Sequence, residues 1–161
     1  MLIEGKALLL VLVANSAPIL IRQLPYINKL SCPLDGGLNF FDGRRWLGDS
    51  KTWRGVIAAV VLTMLCAVVI HSDYLTGTIV GALAMLGDSV SSFVKRRLSM
   101  TPSTMALGID QIPESVLPLI YLQHRWSLDW YSILVLVLLF IVLELVLSRV
   151  LFRLHIRKRP Y

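Results

Sequence analysis

The sequence predicts an all-α fold: an integral membrane helical bundle with five transmembrane helices and two long cytoplasmic loops, in a single domain over residues 1–161. Three observations predict it. Apolar residues make up 56% of the chain and charged ones only 16%, against about 25% charged in an average soluble domain. With a mean hydropathy of +0.71, that surface needs lipid as its solvent. Apolar residues also gather into stretches close to the roughly 20 needed to cross a bilayer. Finally, once the stretches are threaded back and forth, the basic residues collect on one side.

The first span, about Leu2 to Ile21, has a continuous apolar run over Ala7–Ala14 and continues through Pro18-Ile-Leu-Ile21. Glu4 stands against Lys6 where a signal peptide would be purely basic, which argues for a retained span. Asn15 and Pro18 are expected to unwind it locally, as neighbours in a bundle permit. The second span, about Trp53 to Ile70, is interrupted within Val56–Ile70 only by Thr63. The third, about Tyr74 to Phe93, carries Gly77 and Gly81, a GxxxG pair suited to close helix packing. The fourth, about Pro113 to Leu122, is short. The fifth, about Trp130 to Leu151, is the most continuous, and Trp126, Trp130 and Tyr131 suit the interfacial aromatic belt at its start.

This threading puts the loops at about 22–52 and 94–112 and the basic tail 152–161 on one side. Of the 16 Lys and Arg residues, all but Lys6 and Arg125 lie there or at its edge. The positive-inside rule makes that side cytoplasmic, with the N-terminus external and the C-terminus cytoplasmic in a multi-pass cell-membrane protein. Topology thus accounts for most of the net charge of +6, and a nucleic-acid partner is not needed to explain it. Cys32 and Cys66 are too few for a disulfide framework and too far apart for a metal pair. A homo-oligomer is compatible with these spans but not specified by them.

Topology does not account for Asp35, Asp42, Asp49, Asp88 and Asp110, which fall in or against the same cytoplasmic segments. Acid and base mixed on one face suit a site for metal and phosphate. The densest stretch is Gly87-Asp88-Ser-Val-Ser91-Ser92-Phe-Val-Lys95-Arg96-Arg97. Helical spacing puts Asp88, Ser92 and Lys95 on one face, with Ser91 beside them. Two readings are open: Asp88 pairs with Lys95 across two turns and orients the helix end, or Asp88 holds Mg²⁺ while Lys95 and Arg96 hold phosphates.

A second stretch, Asp42-Gly-Arg44-Arg45-Trp-Leu-Gly48-Asp49-Ser-Lys51-Thr52-Trp-Arg54-Gly55, leads directly into the second span. Its glycines and the following helix N-terminus suit an anion. It superficially suggests a nucleotide P-loop, but Lys51 comes two residues too late and no soluble strand precedes it. A surface loop with basic anchors is the competing reading. The third stretch is Gly108-Ile-Asp110-Gln111-Ile-Pro113-Glu114, where Asp110 is either a second metal ligand or a helix N-cap. Glu144, midway along the fifth span, is costly in lipid unless it faces the bundle.

These stretches, in this order, resemble the CDP-archaeol synthase family, small five-span enzymes related to phosphatidate cytidylyltransferases. The resemblance covers nearly the whole chain, from Ala14-Asn-Ser-Ala-Pro18 to about Leu122. Phe41-Asp-Gly-Arg-Arg45 with Gly48-Asp-x-Lys-Thr-Trp-Arg-Gly55 looks like the family's long loop. Gly87-Asp88-x-x-x-Ser92-x-x-Lys95-Arg96 looks like the element shared with phosphatidate cytidylyltransferases, and Asp110-Gln111 like the second acidic motif. One departure is that Pro113 and Glu114 stand where the family pattern has a second aspartate.

The resemblance implies transfer of CMP from CTP to a membrane lipid phosphate, archaeal-type ether lipid or phosphatidate, with release of pyrophosphate. It implies Asp88, Lys95 and Lys51 as catalytic residues and Asp88 and Asp110 as Mg²⁺ ligands. Gly48, Asp49, Lys51, Thr52, Arg54, Gly55, Ser92, Lys95 and Arg96 would bind the nucleotide. The nearest rival is a CTP-dependent polyprenol or lipid kinase, which would release CDP. A non-enzymatic transporter or scaffold would explain the helices but not the one-sided clustering of Asp, Lys and Arg.

Overall fold

A computed structural model describes residues 2–21, 31–101, 104 and 106–154. Arg22 and Lys29 in the first loop, and His155, Arg157, Lys158 and Arg159 in the tail, lie outside the described residues. The described chain is all-helical: α1 (Ile3–Ile21), α2 (Trp53–Val69), α3 (Tyr74–Arg97), α4 (Gln111–Trp126) and α5 (Trp130–Arg153). Apart from two isolated bridges, Pro33 with Thr52 and Asn39 with Arg45, the described loops are irregular.

The bundle is built for lipid. α1, α3 and α5 are long and apolar enough to cross a membrane. α2 is apolar beyond its first turn except for Thr63 and has 17 residues, at the lower limit of about 17 for a span. α4 is shorter, with 16 residues, and amphipathic. Leu138, Val142, Val146 and Val150 stand exposed along α5, a stripe that water would penalise and lipid tails accept.

Helices that follow one another in the chain run antiparallel. The connections from α2 to α3 and from α4 to α5 are only a few residues long, which enforces reversal. A β-carbon on Gly77 would stand 2.6 Å from Ala67 Cβ, and one on Gly81 2.9 Å from Val60 Cα. The GxxxG pair therefore brings the α2 and α3 backbones together, as its spacing predicts. Packing is graded along the bundle axis. Toward one end, large side chains from α1, α3, α4 and α5 fill the core, with Leu10, Val80, Leu119, Leu122 and Phe140 fully buried. Next comes a layer of small residues, Ala14, Ala17, Ala59 and Ala84, with Met85. Beyond it the helices stand close enough for charged groups from different segments to meet.

One expectation is corrected. α1 stays helical through Pro18 instead of unwinding. Asn15 Nδ2 donates back to the Val11 carbonyl at 3.0 Å, and Gly55 leaves space for the Pro18 ring, since a β-carbon there would stand 3.3 Å from Pro18 Cβ. α3 runs past the expected span end at Phe93 to Arg97, in line with the helical spacing of Asp88, Ser92 and Lys95. Its last turn is sustained because Lys95 and Arg96 find partners as they are buried: Lys95 Nζ donates to the Thr104 carbonyl at 3.0 Å and Arg96 to the Thr101 carbonyl at 2.9 Å.

Candidate active site

The site forms where the start of α2, the second half of α3 and the start of α4 converge. Thr52 caps α2 by accepting from the Gly55 N–H at 3.3 Å. Capping fixes the entry angle of the chain and so the position of Lys51, the residue before the cap. Lys51 Nζ donates to Asp88 Oδ1 on α3, from 37 residues away in sequence. Burial works against the Lys51 charge, but the Asp88 carboxylate, aided by Glu114 and Asp110, holds its pKa above the ordinary lysine value.

Gly87 allows α4 to close over this pair. A β-carbon on Gly87 would overlap the Pro113 carbonyl and stand 2.7 Å from the Glu114 nitrogen. With no side chain there, the α4 backbone rests on α3 and the Glu114 carboxyl stands against that of Asp88. Two carboxyl groups at that distance require a shared proton or a cation. Pro118 has no N–H for the Glu114 carbonyl four residues earlier, so that oxygen lacks its helical donor. Two turns further along α3, Lys95 Nζ lies 2.7 Å from Asp110 Oδ1. The approach is charge to charge and lacks hydrogen-bond alignment, leaving Oδ1 acceptor capacity. Asp110 Oδ2 accepts from the Ala106 N–H at 3.0 Å. Arg96 is buried beside Asp110, and its Nε has no hydrogen-bond partner.

A separate knot of charges docks the long loop onto the α3 terminus. The Asp35 side chain is 1% exposed and accepts from the Gly37, Leu47 and Gly48 N–H groups at 3.0, 3.1 and 2.9 Å. Arg45 adds a two-pronged contact at 2.7 and 3.2 Å. Burial would raise the Asp35 pKa, but these donors hold it well below the usual carboxylate range. Arg44 donates to the Arg97 carbonyl at 2.8 Å, supplying a donor to the end of α3. Arg97 pairs with Asp42 at 2.5 Å and lies over the Phe40 and Phe93 rings.

With this geometry in view, the chain can be set beside known proteins. The family model described as CarS-like, CDP-archaeol synthase, matches residues 26–161. The chain belongs to the CDP-archaeol synthase family. It is similar to the CDP-archaeol synthase of Sulfurisphaera tokodaii, 36% identical over 145 residues, covering 85% of this chain and 86% of that one. The Saccharolobus solfataricus CDP-archaeol synthase is 37% identical over 117 residues, covering 68% and 69%. A solved structure of an intramembrane enzyme for archaeal membrane lipids biosynthesis superposes with a TM-score of 0.69 at 24% identity, covering 89% of this chain and 90% of that one. That likeness shows the fold. As a member of the CDP-archaeol synthase family, the protein is a membrane cytidylyltransferase.

Of the expected site residues, the fold brings together Lys51, Asp88, Lys95, Arg96 and Asp110, with Ser92 buried on the same face of α3. The expected pairing of Asp88 with Lys95 is corrected: Asp88 bonds Lys51, and Lys95 turns to Asp110. Asp110 precedes α4 but makes no side-chain cap bond, because Ala106 and Lys95 engage its carboxylate. Asp49 stays outside; its side chain is 76% exposed and pairs with Arg45 one helical turn back in sequence. The Gly48 and Gly55 N–H groups, expected to line the nucleotide, are committed to Asp35 and Thr52. Gly48 instead serves the loop through its φ of +88°. Arg54 sits half-buried in the first turn of α2. Glu114, which in the sequence stands only as a departure in the second acidic motif, joins the site beside Asp88.

Proposed function

We propose that the protein transfers the cytidylyl group of CTP to the phosphate of a membrane ether lipid, releasing pyrophosphate, at the end of the bundle where α2, α3 and α4 converge. The observation that carries this reading is the pair of stacked lysine–carboxylate contacts, Lys51–Asp88 and Lys95–Asp110, with Glu114 against Asp88. Each lysine has a carboxylate partner that a phosphate could replace. Arg96 brings an unused donor to the same place. The relatives named above are CDP-archaeol synthases, which supports the archaeal lipid as substrate.

The residues present fit Mg²⁺. This hard cation takes oxygen ligands, often one or two carboxylates plus substrate phosphates, and the adjacent Asp88 and Glu114 carboxyls supply such a pair. Bound there, the ion would supply charge neutralisation on the triphosphate. The chain's own groups do the rest. Lys51 and Lys95 hold the triphosphate, and Arg96 holds the lipid phosphate or the departing pyrophosphate. The lipid phosphate oxygen attacks the α-phosphorus in line with the leaving pyrophosphate. The nucleophile is already anionic, so positioning and charge stabilisation matter more than a strong base. Thr52 and Ser92 border the nucleotide.

The side carrying the site is cytoplasmic on the basic asymmetry, with the N-terminus external and the C-terminus inside. The deciding experiment uses the purified full chain with labelled CTP, Mg²⁺ and a panel of lipid phosphates. CDP-lipid and stoichiometric pyrophosphate are expected; release of CDP instead would establish a kinase. Tags at the two ends should differ in protease accessibility in sealed vesicles, and equal accessibility would defeat the topology.

A further inference from the structure

α3 presents one exposed face along its length. Leu75, Ile79, Ala82, Leu86 and Val90 are exposed and recur at steps of three and four residues, which places them on a single stripe. α3 is long and apolar enough to cross a membrane, so that stripe faces acyl chains. The next positions on the same stripe are Phe93 and Arg97, and both are engaged by the long loop. Phe93 meets the rings of Phe40 and Trp46, with centroids 5.4 and 6.1 Å away, and Arg97 pairs with Asp42. Segment 38–46 therefore sits on the lipid-facing side of α3, at the end of the stripe. At about 1.5 Å per residue, Leu75 to Phe93 covers about 27 Å, close to the roughly 30 Å of a hydrocarbon core. The segment thus stands at the boundary between acyl chains and headgroups.

The segment is a tight hairpin. The Trp46 N–H donates to the Leu38 carbonyl at 3.2 Å, the Phe40 N–H to the Arg44 carbonyl at 2.7 Å and the Gly43 N–H to the Phe40 carbonyl at 2.9 Å. Gly43 makes the turn at a φ of +74°. Two arginines clasp the hairpin to α3 reciprocally: Arg44 donates to the Arg97 carbonyl and Arg97 to the Arg45 carbonyl, each at 2.8 Å. Although it is held this firmly, the hairpin turns large apolar groups outward. Phe41 at its tip is 99% exposed, Leu38 67% and Trp46 46%. On a loop in water these three would form an uncovered apolar patch. At the end of a lipid-facing stripe, the bilayer covers them. Arg97, over the Phe40 and Phe93 rings at 4.8 and 5.0 Å, and the exposed Arg44 add the basic groups that accompany aromatic residues at a membrane interface.

We propose that hairpin 38–46 is an interfacial anchor: Phe41, Leu38 and Trp46 insert among the lipids of the leaflet at the C-terminal end of α3, while Arg44 and Arg97 stay level with the lipid phosphates. The occupant is lipid and not a second copy of the chain. Three side chains on one turn cannot supply the about 800 Å² per partner of a stable protein interface, and the patch continues a surface already given to acyl chains. Lys51 follows Trp46 by only five residues, so the anchor fixes the level of the site against the headgroups. It stands on the geometry of the loop and α3 and does not depend on which group the enzyme transfers.

The test uses the full chain in nanodiscs of phosphatidylcholine and phosphatidylglycerol, with Cys32→Ser and Cys66→Ala removing the free thiols. A nitroxide is attached at Phe41→Cys, at Leu38→Cys or, as the aqueous reference, at Asp49→Cys, where the parent side chain is 76% exposed. Power-saturation EPR compares collisions with oxygen, which concentrates in lipid, and with a water-soluble nickel chelate. The oxygen-to-nickel ratio should be at least threefold higher at positions 41 and 38 than at 49. A ratio at 41 and 38 no higher than at 49 places the hairpin in water and overturns the anchor. Low accessibility to both reagents means that protein covers the patch, and overturns it as well. Without any label, brominated lipids should quench the share of fluorescence that Trp46→Phe removes; a Trp46 share left unquenched by them overturns the anchor independently of the cysteine variants.

Discussion

Two clusters of the same residue types, carboxylates with Lys or Arg, lie near each other and are wired differently. In the loop knot, Asp35 meets donors from three backbone N–H groups and from Arg45, so its lone pairs are spent. In the convergence of α2, α3 and α4, Asp88 and Asp110 each face one lysine, and Asp88 shares its place with a second carboxyl. A saturated carboxylate holds a shape. One that is paired with an exchangeable ammonium and crowded by another carboxyl can trade that partner for a cation or a phosphate. The difference separates structural charges from reactive ones where residue type cannot.

The largest effect is expected from Asp88→Asn. It should lower CDP-lipid formation by about 10²–10³-fold or more, the scale of losing a main electrostatic group. It also leaves Lys51 buried without its carboxylate, which costs about 3–5 kcal/mol. The double change Asp88→Asn with Lys51→Met should recover stability, read as thermal resistance to aggregation in detergent, and remain inactive. Activity in the double variant would make the pair structural, like the loop knot.

Gly87→Val comes next. Its side chain would meet the Pro113 carbonyl and the Glu114 nitrogen, so α4 must move off α3. Activity should fall at least tenfold while helical content by circular dichroism is retained; full activity would mean that the contact of Glu114 with Asp88 is not needed.

Lys95→Ala should raise the KM for CTP or lipid phosphate several-fold to tenfold, in line with the about 1.5–3 kcal/mol of a hydrogen bond to a charged group offset by the release of Asp110. Unchanged kinetics would reduce Lys95 to an anchor for the 98–110 segment.

The smallest effect on chemistry is expected in the loop knot. Asp35→Asn should cost the loop about 1–3 kcal/mol of local stability through its unsatisfied donors, seen as faster proteolysis between residues 31 and 52, with kcat largely kept. Because folding depresses the Asp35 pKa, its contribution is fully present above the ordinary carboxylate pKa of about 3.9 and is lost as pH falls through the lower folded value. Protease resistance of the parent loop should therefore decline as the pH drops below about 4, and Asp35→Asn should flatten that decline.

The sequence by itself determined the membrane character, the five helices and the family, because partition into lipid depends on local runs of side chains that can be read without knowing their neighbours. The helix starts at Trp53, Tyr74 and Trp130 coincide with those expected. It also marked Asp88 and Asp110 as charges that topology does not explain, and Lys51 and Lys95 as candidate phosphate ligands beside them. Only the tertiary structure decided who meets whom. One face of α3 offers Asp88 to Lys95 by periodicity alone, yet Lys51 reaches Asp88 from α2's entrance and Lys95 turns to Asp110. The physical reason is that ion pairing between segments depends on how closely the backbones approach. That approach was set at Gly77, Gly81 and Gly87, where the absence of a side chain admits the neighbouring helix. Glu114 enters the site for the same reason, since only a helix resting directly on Gly87 can bring it to Asp88.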